Sequence, residues 1–271
     1  MRGAIVGDII GSAFIHSPHT NIDFQLLKPI SSYTDDTILT IATADAILNG
    51  IAYDTALKQW TRKFPRAGYQ PEFLEWALSD KPTEIYKSRG DGAARRISPI
   101  GFAAPSLEAA MAEAEKATII THVDPAKIKA SKAFCGAIYL ARETRNKEQV
   151  KAFMEEEIGY VLPQEWNIDC ATALQRKYQS PVPCAIMAFL HASSFEDAIR
   201  KAVLMGGPSN TIASITGALA QAYYQHIPKA IMRKSLVRLS GALEEVMIAF
   251  EETYCREMSI DKQLQPNFQN Q

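Results

Sequence analysis

Two features of the sequence predict an all-α fold. Its apolar residues recur mostly at the three-and-four spacing of a helix, and the alternating, β-branched stretches between hairpin turns that announce a sheet are nearly absent. Size makes the fold one domain: 271 residues with 47% hydrophobic content sit near the upper limit of a single core, where about three quarters of the unfolded surface is buried. A domain over residues 1–260 is expected, followed by a polar tail at 261–271 without fixed structure.

The opening helix carries Gly3, Gly7 and Gly11 at i, i+4 and i+8, three bare backbone patches on one face. In an apolar 20-mer this spacing marks membrane dimerisation; with Asp8 inside it, close packing in a water-soluble core is the better reading. A second helix should start at Thr34 or Asp35 and stop at Asn49-Gly50. Two more are expected between Ala52 and Ser79, parted at 65–71. Residues 81–105, with Lys81-Pro82, Gly90-Asp91-Gly92, Ser98-Pro99 and Ala104-Pro105, read as a loop able to line a site. Helices resume over Ser106–Thr118, Pro125–Arg142 and Lys147–Tyr160. A mixed segment over 163–183 leads into short helices at Cys184–Ala192 and Phe195–Met205, then Thr211–Tyr224 and one long amphipathic helix over Lys229–Met258.

Composition excludes several function classes. There are 29 Lys+Arg against 30 Asp+Glu, so no global field draws the chain to nucleic acid or an anionic membrane. The four cysteines, Cys135, Cys170, Cys184 and Cys255, form no C-x-x-C pair and are expected as buried thiols in a reducing compartment. Asp8 interrupts the apolar N-terminus before it resembles a signal peptide, and no run reaches the length of a membrane span; a cytoplasmic protein is expected.

Four clusters carry candidate chemistry. Tyr33-Thr34-Asp35-Asp36-Thr37 opens a helix, so its plainest role is a cap with carboxylates complementing the helix dipole. The same oxygens are the hard donors a divalent cation takes. Gly206-Gly207-Pro208-Ser209-Asn210-Thr211 opens another helix, with Ser209 or Asn210 as its expected cap. Between them lie Gly90-Asp91-Gly92-Ala93-Ala94-Arg95-Arg96-Ile97-Ser98-Pro99-Ile100-Gly101 and Thr121-His122-Val123-Asp124-Pro125. There the glycines allow close backbone approach to a ligand, and Ser98 with backbone N–H groups suits phosphate.

In order and spacing, these clusters and the Gly3-to-Ser12 segment resemble the ADP-ribosylglycohydrolase family over roughly residues 1–250. The resemblance implies a single compact domain of orthogonally packed helices. It implies a cleft with two Mg²⁺ or Mn²⁺ ions and hydrolysis of the bond between ADP-ribose and an acceptor. It assigns catalytic roles to Asp35 and Asp36, metal ligation to Thr34, Asp35, Asp36, Asn210 and Thr211, and ligand contacts to Asp91, Gly92, Ser98, Gly101 and His122.

The sequence also departs from the family pattern. The acids of the second metal-binding segment fall on Pro208 and Asn210, a Glu falls on Ile15 with His16 and His19 nearby, a His falls on Asp124, and another Glu falls on Cys184. Two divalent cations a few Å apart repel unless anionic ligands surround them, so one ion or none is expected in place of two. Three readings follow. The first is a protein that recognises ADP-ribose or an ADP-ribosylated acceptor with weak or absent hydrolysis. The second is a hydrolase using one Mg²⁺, with Asp91 or Asp124 as base. The third is an interaction protein on the same scaffold, which leaves room for a protein partner.

Overall fold

The computed structural model describes residues 1–15, 21–79, 87–88, 90 and 92–255. Among them are fourteen α-helices and no strand, as the sequence predicts. None of these helices is long and apolar enough to cross a membrane. The segments at 16–20 and 256–271, and with them His16, His19 and the polar tail, lie outside the described residues.

The centre of the core is α12, Ser209–Tyr224, whose residues from Ser209 to Ala222 are all buried. It packs most extensively against α1, Arg2–Ser12, and also touches α11 (Phe195–Leu204), α10 (Pro181–Leu190) and α7 (Pro125–Thr144). Neighbours on every side explain why this helix is apolar or small all round. The glycine face of α1 makes the contact: Gly3 lies against Gly217, Gly7 against Ala213, and Gly11 against Ser209 and Asn210, so the two helices run antiparallel. A Cβ at Gly7 would come within 2.0 Å of the Ala213 carbonyl oxygen. Buried Glu251, on α14 (Gly241–Tyr254), ties the pair to the last described helix, accepting from the Arg2 N–H at 2.9 Å and from Gln221 Nε2 at 3.1 Å.

Local chemistry sets the helix starts. Thr34 caps α2 (Asp35–Asn49), and Ser106, Asp124, Asn146, Asn167, Ser180 and Ser194 each accept a first-turn N–H in the same way. Gly50, at φ +64°, ends α2 where the sequence placed its stop. The helices α3 (Tyr53–Lys63) and α4 (Pro71–Leu78) fill the stretch expected for two.

Three expectations are corrected. Residues 81–105 are not loop throughout: a 3₁₀ turn at Ala94–Arg96 leads into α5, Ser98–Ala103. Pro99 falls in its first turn, where a missing N–H breaks no bond, so it permits the helix it was taken to stop. Pro181 and Pro183 likewise start α10 three residues before Cys184. The long C-terminal helix is two, α13 (Lys229–Leu236) and α14, because the chain tightens after α13 and Arg238 Nε donates to the Ser31 carbonyl at 3.0 Å. The apolar spacing continues through this break, since both helices face the same core. The remaining helices are α6 (Leu107–Ile119), α8 (Lys147–Ala152), which runs into a wider turn at Phe153–Glu157, and α9 (Ile168–Tyr178) in the segment read as mixed. All four cysteines are free; three are buried and Cys170 is half-buried.

Replacement of Gly7 by Ala should cost about 3 kcal/mol or more, because overpacked backbone has no rotamer to yield. Gly241→Ala, at a position with nothing within 4 Å, should be neutral or stabilise by up to about 1 kcal/mol. Urea unfolding midpoints of the two variants check this, and equal midpoints would refute the close-contact account.

Candidate functional site

The close contact of α1 and α12 brings Asp8 beside Asn210 and Thr211, and the N-terminus of α2 completes the group with Thr34–Thr37. Asp8 is fully buried and is its hub. One oxygen accepts from the Thr34 N–H at 2.8 Å and the Thr37 hydroxyl at 2.6 Å; the other accepts from the Thr34 hydroxyl at 2.7 Å and Asn210 Nδ2 at 3.4 Å. Thr34 still serves as the cap, accepting from the Asp36 N–H at 3.2 Å. The expected caps of α12 do other work: Ser209 donates to the Gly11 carbonyl at 2.9 Å, and Asn210 turns its amide N–H groups to Asp8, Thr34 and Asp36.

Asp36 is also fully buried, accepting from the Thr211 hydroxyl at 2.8 Å and Asn210 Nδ2 at 3.3 Å. Its other oxygen lies 2.6 Å from Arg95 Nη1. Arg95, on the 3₁₀ turn, places Nη2 2.8 Å from Asp35 Oδ2 and so bridges the adjacent carboxylates. Burial pushes Asp8 up to about 6, with the Asp36 charge adding to it and the Thr37 and Thr34 donors opposing. Burial also raises Asp35 to about 7, against the attraction of Arg95, while Asp36 and Asp8 add repulsion. Asp36 is raised for the same first reason, with Arg95 and Thr211 opposing. Burial disfavours the Arg95 charge, but the three carboxylates overcome it and hold the guanidinium firmly protonated.

Beside this acidic centre opens a cleft of about 580 Å³. Leu39, Phe73 and Pro181 give it apolar walls; Lys87, Ser88, Gly90, Gly92, Arg95 and His122 give it a donor-rich side. The protonation of His122 follows from its neighbours. Arg96, buried, donates to the Thr121 hydroxyl at 2.9 Å, so that hydroxyl gives its own proton to His122 Nδ1 at 2.7 Å. The remaining proton of the neutral ring sits on Nε2, beside the Gly90 backbone, whose pull on the charged ring is outweighed by burial. Burial and the cations Arg96, Lys127 and Arg95 lower His122 to about 3, so the ring is neutral.

The residues assigned by resemblance are thus distributed unevenly. Thr34, Asp35, Asp36, Asn210 and Thr211 meet in one cluster, and Gly92 and His122 line the cleft beside it. Ser98 is buried at the start of α5, and its hydroxyl has no partner among the described residues. Gly101 lies where α5 meets α7, its Cβ position 2.6 Å from Ile138 Cβ, and neither it nor Ser98 is among the lining residues. Asp91 lies outside the described residues. Asp124 caps α7 by accepting from the Ala126 N–H at 2.8 Å, and Cys184 donates its thiol to the Ala171 carbonyl at 3.3 Å. Sequence reasoning missed Asp8 as the hub and Arg95 as the cation. The signal for Asp8 was a lone acid inside an apolar helix that itself needed explaining.

As arranged, these groups do not fit a divalent pair. Both oxygens of Asp35 face Arg95, those of Asp36 are taken by Arg95, Thr211 and Asn210, and Asn210 presents N–H groups, which repel a cation. Pro208, on the cleft wall, has no side-chain ligand to offer.

Comparison with known proteins agrees with this fold and shows the family of the chain. A 26% identical relative is an uncharacterized protein of Archaeoglobus fulgidus, matched over 80% of this chain and 77% of its own length. Another, the ADP-ribosylhydrolase ARH3 of Mus musculus, is 21% identical, with 85% and 84% covered. A solved structure described as an ADP-ribosylglycohydrolase-related protein complex superposes with a TM-score of 0.69 at 21% identity, covering 93% of this chain and 95% of its own, and has the same fold. The family model for ADP-ribosylglycohydrolase matches residues 1–255, and the chain therefore belongs to the ADP-ribosylglycohydrolase family.

Proposed function

We propose that the protein binds ADP-ribose, or the ADP-ribosyl end of a modified acceptor, and hydrolyses it weakly or not at all. One observation carries this reading: the carboxylates of the acidic centre are engaged by Arg95, Asn210 and Thr211 of their own chain, while the cleft next to it is lined by Lys87, Ser88, Gly90, Gly92, Arg95 and His122. General-base work and metal-assisted hydrolysis both need free carboxylate lone pairs, and here Asp35 and Asp36 spend theirs on Arg95, Asn210 and Thr211. Ligand recognition needs less. Phe73 and Leu39 offer apolar surface to a base, and the Gly92 backbone, neutral His122 and Arg95 form a side complementary to a diphosphate. The name of the mouse relative, an ADP-ribosylhydrolase, supports the ligand class, and a cytoplasmic setting fits the free thiols.

ADP-ribose at 100 times its dissociation constant should stabilise the protein by about 2.7 kcal/mol, visible as a rise in melting temperature. With peptides ADP-ribosylated on arginine or serine and millimolar Mg²⁺, chromatography should detect no ADP-ribose release. Turnover of about 1 s⁻¹ or faster would sink the proposal, as would absence of any ligand-dependent shift.

His122 gives a separate check on the cleft. Long-range ¹H–¹⁵N spectra should show the Nε2–H tautomer unchanged from pH 8 to pH 5. The unfolded chain takes up a proton near the ordinary 6.5 that the folded ring refuses until about 3. The contribution of His122 to stability therefore declines as pH falls through that window. A ring that titrates near 6.5 in the folded protein would show that the Arg96–Thr121–His122 chain is not formed.

A further inference from the structure

We infer that Arg95 is the resident cation of the acidic centre, standing where a divalent ion would be held and closing that position to metal. Asp8, Asp35 and Asp36 converge there with at most a few per cent exposure, and three buried carboxylates demand a positive charge. The guanidinium supplies it in a form that fits two adjacent acids: Nη2 sits 2.8 Å from Asp35 Oδ2 and Nη1 sits 2.6 Å from Asp36 Oδ1. A planar fork can meet two carboxylates at once, and an arginine keeps its charge in a dry site where a lysine would shed it. The other side of the cluster is built for the same occupant. Asn210 faces the acids with N–H donors and Thr211 with its hydroxyl, which satisfy carboxylate lone pairs left over by one monovalent cation. A hard divalent ion requires the reverse, about six oxygens with their lone pairs inward.

Arg95 also reaches the cleft. It is 18% exposed and lines the donor-rich wall, and its Nε has no partner among the described residues. A ligand entering the cleft therefore meets a fixed organic cation. The inference deepens the proposed function by naming what stands in for metal. It is tested by metal affinity, so it can fail while ADP-ribose binding stands, and the reverse.

The probe is Mn²⁺ alone, followed by the electron paramagnetic resonance signal of the free ion, with the full chain. The native protein should leave the free signal undiminished up to about millimolar Mn²⁺. Arg95→Ala, which frees Asp35 and Asp36, should bind one Mn²⁺ at least about 100-fold more tightly than the native protein, a factor equal to about 2.7 kcal/mol. Its melting temperature should then rise with Mn²⁺. Micromolar Mn²⁺ binding by the native protein would overturn the inference, and so would a folded Arg95→Ala protein with unchanged affinity. Should Arg95→Ala fail to fold with three uncompensated acids, Arg95→Gln keeps the volume and is read by the same criteria, and the native titration decides independently.

Discussion

Backbone contact between α1 and α12 is the constraint on which the rest of this molecule depends. Ordinary side chains hold helix axes about 8–10 Å apart; with Gly3, Gly7 and Gly217 at the crossing, the intervening side chains are gone and carbonyls meet Cα atoms. That closeness does more than fill space. Asp8 lies one residue beyond Gly7, and Asn210 lies against Gly11, so the same antiparallel register that seats the glycines delivers the acid and the amide to one point. The acidic centre is a by-product of helix register, in the sense that neither partner could reach the other if α1 stood one side chain farther away.

Electrostatics then determine what such a point can contain. Three acids buried together are unstable unless their charge is offset and their lone pairs are met. In this chain both needs are filled from within, by Arg95 for charge and by Thr34, Thr37, Asn210 and Thr211 for hydrogen bonds. The result is a site rich in the residue types of catalysis whose oxygens are nevertheless engaged. Arg96 and His122 show the complementary economy a few Å away. A buried guanidinium, lowered to about 9 by burial and by Arg95, is directed onto Thr121 and a backbone carbonyl, and through Thr121 it orients an imidazole toward the cleft.

Much of this was legible in the sequence, for reasons that differ by residue. The glycine stripe, the Thr34 cap and the Gly50 stop are local signals, each with one physical meaning, and the structure agrees with them. Pro99 and the break after Leu236 were not legible, because a proline at a helix start and one inside it look alike in one dimension, and apolar periodicity does not register a turn that both helices share. The acids of the centre could be named from the Thr34-Asp35-Asp36 cluster, but the partner that satisfies them sits some sixty positions away. Nothing about Arg95 in the sequence distinguishes it from its neighbour Arg96, yet one neutralises the acids and the other serves the histidine.

The same glycine contact has a mechanical side. Side-chain ridges can slide or hop between rotamers, whereas backbone atoms in van der Waals contact have only one fit, and displacement by even one turn would drive Gln221 or Ser209 into the α1 backbone. The two helices therefore move as one body, and the wall of the cleft that they support, with Pro208 and Thr211, keeps a fixed shape. Elsewhere the cleft is lined from α4 and its approach by Gln70, Glu72 and Phe73, long side chains with rotamers to choose among. Of the acidic centre, Asp8 and Asn210 stand on this backbone contact, so their mutual position is set by it.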